Sequence, residues 1–173
     1  HTPPQVTNGP MESKVNYNLP YAGKVLPDSP LWKLKALRDR VWFEITTSHI
    51  RKAQLALLFA DKRLVMAKIL FEKGEPAIAV STFTKGEKYL PIAVREEKIA
   101  RSQGVNTDDF LLQLATAALK HKEVAEGLIE LAPEDARPLI ISTEVYAEDT
   151  YKAARDALYS RALPVPKNPF DRD

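Results

Sequence analysis

Cysteine is absent from the 173 residues, which excludes disulfides, thiolate metal sites and cysteine nucleophiles. That absence suits an oxidising compartment where stray thiols are avoided, although a cytosolic chain can also lack cysteine. Glycine is scarce, with 6 residues, and none forms a phosphate-cradling loop or a Gly-x-Ser-x-Gly elbow. The histidines are His1, His49 and His121. None stands in the His-x-x-x-His or Glu-x-x-His spacing that sets two ligands on one helical face. No window approaches the roughly 18 unbroken apolar residues of a membrane span. Net charge is only +2, without the basic excess or interleaved aromatics expected of a nucleic-acid binder. No Asn-x-Ser/Thr acceptor occurs. The chain opens on His1 rather than methionine, so it is expected to be trimmed, processed or a cloned fragment, with any signal peptide or anchor upstream.

What is present reads as helix. Apolar residues make up 45% of the chain and charged residues 28%, the balance of a folded domain with a real core. Ile50, Ala53, Leu57, Ala60, Leu64, Ala67 and Phe71 alternate gaps of three and four. That is the seam of a helix packed lengthwise against others. The spacing predicts this helix from His49 to Lys73, with Gly74 as its stop.

Before it, a first helix is expected from Ser29-Pro30, where Asp28 or Ser29 can cap and Pro30 suits the first turn. Its expected inner face is Leu31, Leu34, Leu37, Val41 and Ile45, and Thr46-Thr47-Ser48 end it. A third helix runs from Glu75-Pro76 to Gln103 with Ala77, Val80, Phe83, Leu90 and Val94 inward. Pro91 should kink it, and Gly86 should allow close approach of a neighbour. A fourth, capped by Asn106 or Thr107, carries the seam Phe110, Leu114, Ala117, His121, Val124, Leu128 and Leu131. A fifth covers Ala136 to Ser160.

The prolines Pro3, Pro4, Pro10, Pro20 and Pro27 exclude helix throughout the start of the chain. Residues 1–28 are therefore expected as an arm, flexible to Tyr17 and extended from Leu19, where it either lies along a helix or serves as a plain tether. Residues 29–162 form the bundle and 163–173 an extended tail. The fold class expected is all-α, an antiparallel bundle of about five helices.

Little chemistry is attached to this pattern. Asp108-Asp109, Glu134-Asp135 and Glu148-Asp149 are adjacent, hence not on one helical face, and suit helix starts better than acid–base work. His49 is expected beside a cap in a turn. His121 lies on a seam, where a buried imidazole needs partners, Tyr89 or a carboxylate. A satisfied core histidine is the preferred reading; metal or small-ligand sensing through His121 with Glu123 or Glu126 is the alternative. Trp32 and Trp42, ten residues apart on the first helix, are expected as core anchors, or else as an exposed strip for a partner.

Charge is unevenly laid out. Residues 29–73 hold ten basic and four acidic side chains, a net +6, and residues 105–160 hold five and eleven, a net −6. The halves are expected to attract each other. The functional alternative is a basic face of Lys33, Lys35, Arg38, Arg40, Arg51, Lys52, Lys62 and Arg63, docking an acidic partner or anionic surface.

The run Pro27-Asp28-Ser29-Pro30-Leu31-Trp32-x-x-Lys35, the Thr46-Thr47 break, Arg51-Lys52-Ala53 and Ala60-Asp61-Lys62-Arg63-Leu64 resemble an uncharacterised bacterial family of helical domains, domain of unknown function 5667. Trp32 stands where the family pattern has tyrosine. The likeness covers Leu19 to about Leu90, with His121-Lys-Glu-Val124 also similar. It implies an extracytoplasmic module behind a signal peptide or anchor, sometimes accompanying anti-sigma-type proteins, with a partner-binding or sensing role. It implies no catalytic residues.

The function expected is thus a non-enzymatic, extracytoplasmic helical module, without a cofactor, that binds another envelope protein or component. Lys35, Arg38, Arg40, Arg51, Lys52, Lys62 and Arg63 are the candidate docking residues. A tetratricopeptide-like scaffold is the alternative, from Ala67, Leu70, Gly74, Ala79 and the Lys85 to Leu90 run, although no 34-residue repeat follows.

Overall fold

The computed structural model describes residues 13–171, and the calls on His1 and on the prolines up to Pro10 lie outside them. The described residues fold as helices α1 (Trp32–Ile45), α2 (His49–Glu72), α3 (Pro76–Glu87), α4 (Tyr89–Ser102), α5 (Asp108–Leu131), α6 (Arg137–Thr143) and α7 (Val145–Ser160). No strand occurs among them. With α3–α4 and α6–α7 each counted as one bent helix, these are the five expected.

Local chemistry sets most boundaries. The Ser48 side chain accepts from the Arg51 N–H and opens α2, as an N-cap should. Gly74 and Gly104 adopt φ of 78° and 87°, the left-handed stop that glycine takes without strain. Pro91 has no N–H to give the Glu87 carbonyl and its ring crowds that oxygen. The bend accordingly falls at Lys88, between α3 and α4. Helix α1 starts two residues later than Pro30, because Leu26 to Leu31 make tight turns closed by Ser29 N–H to Leu26 O and Trp32 N–H to Ser29 O.

Helix α2 is the spine. All its seam residues are buried except Ile50, which is half-buried. It packs on α3, α4 and α5, while α7 packs on α5 and α4. The core has two layers. One joins Leu57 of α2, Leu90 of α4, Leu114 of α5 and Leu158 of α7. The other joins Leu70 of α2, Phe83 of α3, Leu128 of α5 and Ile140 of α6. Between the layers, at the level of the two bends, lie Asp61, Glu87, His121 and Glu144, all buried.

Helix α1 corrects the sequence expectation. Leu31, Leu34, Leu37, Val41 and Ile45, expected inward, are all exposed, Leu34 at 69% and Ile45 at 70%. The helix has apolar residues on two faces, and the bundle takes the other one. Trp32, Ala36 and Phe43 are half-buried and Asp39 is buried. Neither tryptophan is a full core anchor: Trp42 is half-exposed and meets Phe59 edge-on at 6.3 Å.

The arm and tail are seated on the bundle. Val15 is buried and its N–H donates to Glu123, so the stretch Ser13 to Tyr17, expected as flexible, is fastened. In the lead-in that follows, Ala22 is buried. In the tail, Leu163, Val165 and Phe170 pack on the first core layer, and the Tyr151 hydroxyl donates to Pro166 O at 2.7 Å.

Candidate functional site

Two places concentrate chemistry: the polar layer inside the bundle and the surface around α1.

In the polar layer, His121 of α5 is 0% exposed. Its Nε2 lies 2.7 Å from Asp61 Oδ1 of α2 and its Nδ1 lies 2.8 Å from Glu87 Oε2 at the end of α3. The Tyr17 hydroxyl donates to the other Asp61 oxygen at 2.5 Å. Burial alone pushes an imidazolium pKa down. Here the Glu87 charge and the hydrogen bonds to Asp61 and Glu87 outweigh it and raise His121 to about 10. Burial and then the Asp61 charge raise Tyr17 as well. With a carboxylate on each nitrogen, the ring is a doubly protonated cation with no lone pair left for a metal. Glu123 binds the arm and Lys120 instead of His121, and Glu126 is exposed. The structure therefore brings neither into the ligand set proposed for His121. Among the described residues, no group of three or more His, Asp or Glu is placed to hold a metal ion.

Glu144 completes this layer without a partner of its own. Its Oε1 is buried and makes no hydrogen bond. Burial first, then the charges of Glu126, Glu148 and Glu87 against that of Lys122, raise its pKa to about 7.

His49 is more than a cap neighbour. Its Nδ1 lies 2.6 Å from Glu96 Oε2, tying the start of α2 to α4.

Around α1 the sequence-chosen cations separate into two groups. Arg38, Arg40 and Arg51 are exposed, and Arg38 reaches the adjacent Asp39. Lys33 is exposed as well, while Lys35, Lys52, Lys62 and Arg63 are half-buried. The Lys35 ammonium donates to Val25 O at 3.1 Å and Ala22 O at 3.4 Å, which fastens the lead-in to α1. Burial lowers its pKa, with Asp39 opposing and Lys62 and Arg38 adding to the effect. Lys52 lies over the Phe43 ring. Arg63 stacks on Tyr89, Trp32 and Phe59, its guanidinium carbon 4.9, 5.7 and 5.9 Å from their centroids.

The basic half is not neutralised by the acidic half. Among the described residues no lysine or arginine of 29–73 pairs with an acid of 105–160; the link across is His121 with Asp61. Between the lead-in and α1 runs a groove of about 810 Å³, lined by Leu31, Leu34, Leu37 and Val41 and by Lys24, Lys35, Arg38 and Lys62, with no acid among the described residues.

Sequence reasoning located His121 and its need for partners but missed which they are. Asp61, beside Ala60 on the α2 seam, was the available signal: a carboxylate next to a seam position faces the same interior as a seam histidine. The exposed face of α1 was also missed; its signal was leucine and tryptophan spread around most of the helix rather than along one stripe.

Comparison with known proteins adds one finding. Residues 24–135 match the model of a family described as a domain of unknown function, DUF5667. Neither a curated protein nor a solved structure matches the chain. The match spans α1 through α5 and stops before α6 and α7, whose residues complete both core layers.

Proposed function

The chain belongs to the DUF5667 family, and from that premise we propose that it is a non-enzymatic module of the cell envelope whose α1 groove holds an acidic, amphipathic helix of another protein. One observation carries this reading. Leu31 at the N-cap and Leu34, Leu37, Val41, Trp42 and Ile45 of α1 are exposed, beside cations that no acid of the second half pairs with. An apolar helical face of this kind is covered in the working state of a protein. Covering a leucine is worth roughly 1.5–3 kcal/mol, so four or five such side chains suffice to hold a partner against the cost of association.

The groove is lined by Leu31, Leu34, Leu37 and Val41 in succession, which suits a helix laid alongside α1. The ring of Lys24, Lys35, Arg38 and Lys62 selects an acidic one. A second copy docked face to face would set these cations against each other. The envelope location rests on the family resemblance and accords with the lack of cysteine. The non-enzymatic reading rests on the pairing of buried His121 with Asp61 and Glu87, whose carboxylates hold the imidazolium rather than a substrate.

The test places a photo-crosslinking amino acid at position 34 or 37 of the full-length protein in cells, with position 159 on α7 as the reference. The expected result is one envelope protein captured at 34 and 37 but not at 159, through a peptide that is acidic and amphipathic. The capture should be lost when Lys24, Arg38 and Lys62 are changed to glutamate in a still-folded variant. Capture through a peptide without acidic residues, equal capture at 159, or no specific capture would overturn the docking reading. Recovery of the full-length protein in the cytosolic fraction would overturn the envelope assignment.

A further inference from the structure

On the opposite side of α1 from the docking groove lies a second cavity, of about 730 Å³, between α1 and the bend of α3 into α4. Its volume is that of a small-molecule site. Its walls include the Trp32 and Tyr89 rings and the apolar Ile78 and Ile92, and its charged residues are Arg63, Lys85 and Lys88. Among the described residues no acidic side chain lines it. Among the described residues, none of these three cations takes part in an ion pair or side-chain hydrogen bond. Three unpaired cations facing one apolar cavity repel each other, and an anion relieves that repulsion.

Arg63 is the best placed of them. Its guanidinium carbon lies 4.9 to 5.9 Å from the Tyr89, Trp32 and Phe59 ring centroids, so aromatic contacts fix its place while its N–H donors have no partner among the described residues. The arginine stem is held by Gly86, where an added Cβ would stand 2.6 Å from Arg63 Cβ. The Pro91 bend sets Lys88 at the elbow, so α3 and α4 present Lys85 and Lys88 to the same space. A donor fork fixed before binding loses little freedom on capture of a carboxylate.

We propose that this cavity binds a small organic anion with a planar apolar body, its carboxylate held by Arg63, Lys85 and Lys88 and its body lying against Trp32 and Tyr89. The site is independent of the protein-docking groove, with which it shares no cation.

The test is titration of the full chain at fixed ionic strength with 1-naphthoate and with its neutral counterpart 1-naphthamide. Indole N–H resonances are the readout, assigned with a Trp42→Phe variant. Naphthoate should shift the Trp32 signal and bind at least about tenfold more tightly than naphthamide, as a charge-assisted contact requires. Lys85→Gln/Lys88→Gln changes two exposed residues and should weaken naphthoate about tenfold with the fold intact. Arg63→Gln should weaken it further. Equal affinity for acid and amide, a response at Trp42 instead of Trp32, unchanged affinity in the lysine double variant, or no binding in the millimolar range would each overturn the proposal.

Discussion

His121 of α5 and Asp61 of α2 meet at 2.7 Å in the interior, joining the two longest helices at the level where the core changes from one apolar layer to the next. Carbon side chains pack on either side of this contact, so the ion pair is shielded from water. Buried pairs of this kind gain little over an apolar alternative but are costly to break. Their effect is on register: α5 cannot slide along α2 without separating imidazolium from carboxylate.

Stability should therefore depend on pH through His121. Its folded pKa, raised to about 10, lies above the ordinary value near 6.5. The contribution is complete below about pH 6.5 and is lost as pH rises through about 10. Chemical denaturation at a series of pH values should show stability falling across this window. In His121→Ala, which leaves Asp61 and Glu87 buried without their cation, it should be lower by about 3–5 kcal/mol at pH 7 and should lose that slope. A flat wild-type profile from pH 6.5 to 10 would mean that the ring is neutral in the fold.

Glu144 should act in the opposite sense when mutated. Its folded pKa of about 7 exceeds the ordinary 4.5, so its ionised form burdens the fold above pH 7 and does not below 4.5. Glu144→Gln should raise stability by about 2 kcal/mol at pH 8 and by little at pH 4.5, because the amide removes a buried charge that is present only at the higher pH, an effect reduced by partial solvent screening. Thermal melts at the two pH values decide this, and an equal change at both would assign the effect to shape.

Gly86→Ala should destabilise the bundle by about 1–3 kcal/mol, the usual cost of overpacking. The new methyl would meet the Arg63 stem at 2.6 Å, at a point where α2 and α3 are in close contact. Urea unfolding measures the loss. A change within about 0.5 kcal/mol would mean that Arg63 moves aside freely.

Leu34→Gln and Leu37→Gln should leave the isolated protein's stability unchanged within about 0.5 kcal/mol, because both side chains already face solvent. The same changes should abolish partner capture. A loss of more than about 1.5 kcal/mol in urea unfolding would place this face inside the isolated chain.

Much of the architecture is legible from one dimension. The α2 seam is read correctly because every position obeys a single period, and from Ala53 to Phe71 each seam residue is buried. Gly74, Gly104 and Pro91 act through their own backbone chemistry, so their effects need no knowledge of the rest of the chain. The bend at Lys88 follows from a hydrogen bond that Pro91 cannot make. The basic and acidic halves are likewise properties of the sequence alone.

Three-dimensional packing decided what periodicity leaves open. Helix α1 has two apolar faces, and helical spacing cannot say which one a bundle will accept; α2 is already covered by α3, α4 and α5, which leaves the leucine face outside. His121 announces its need for partners by lying on a seam, yet Asp61 and Glu87 are 60 and 34 residues distant from it in the chain. Their meeting depends on the register of three helices, and register is set by the sum of many contacts rather than by any local signal.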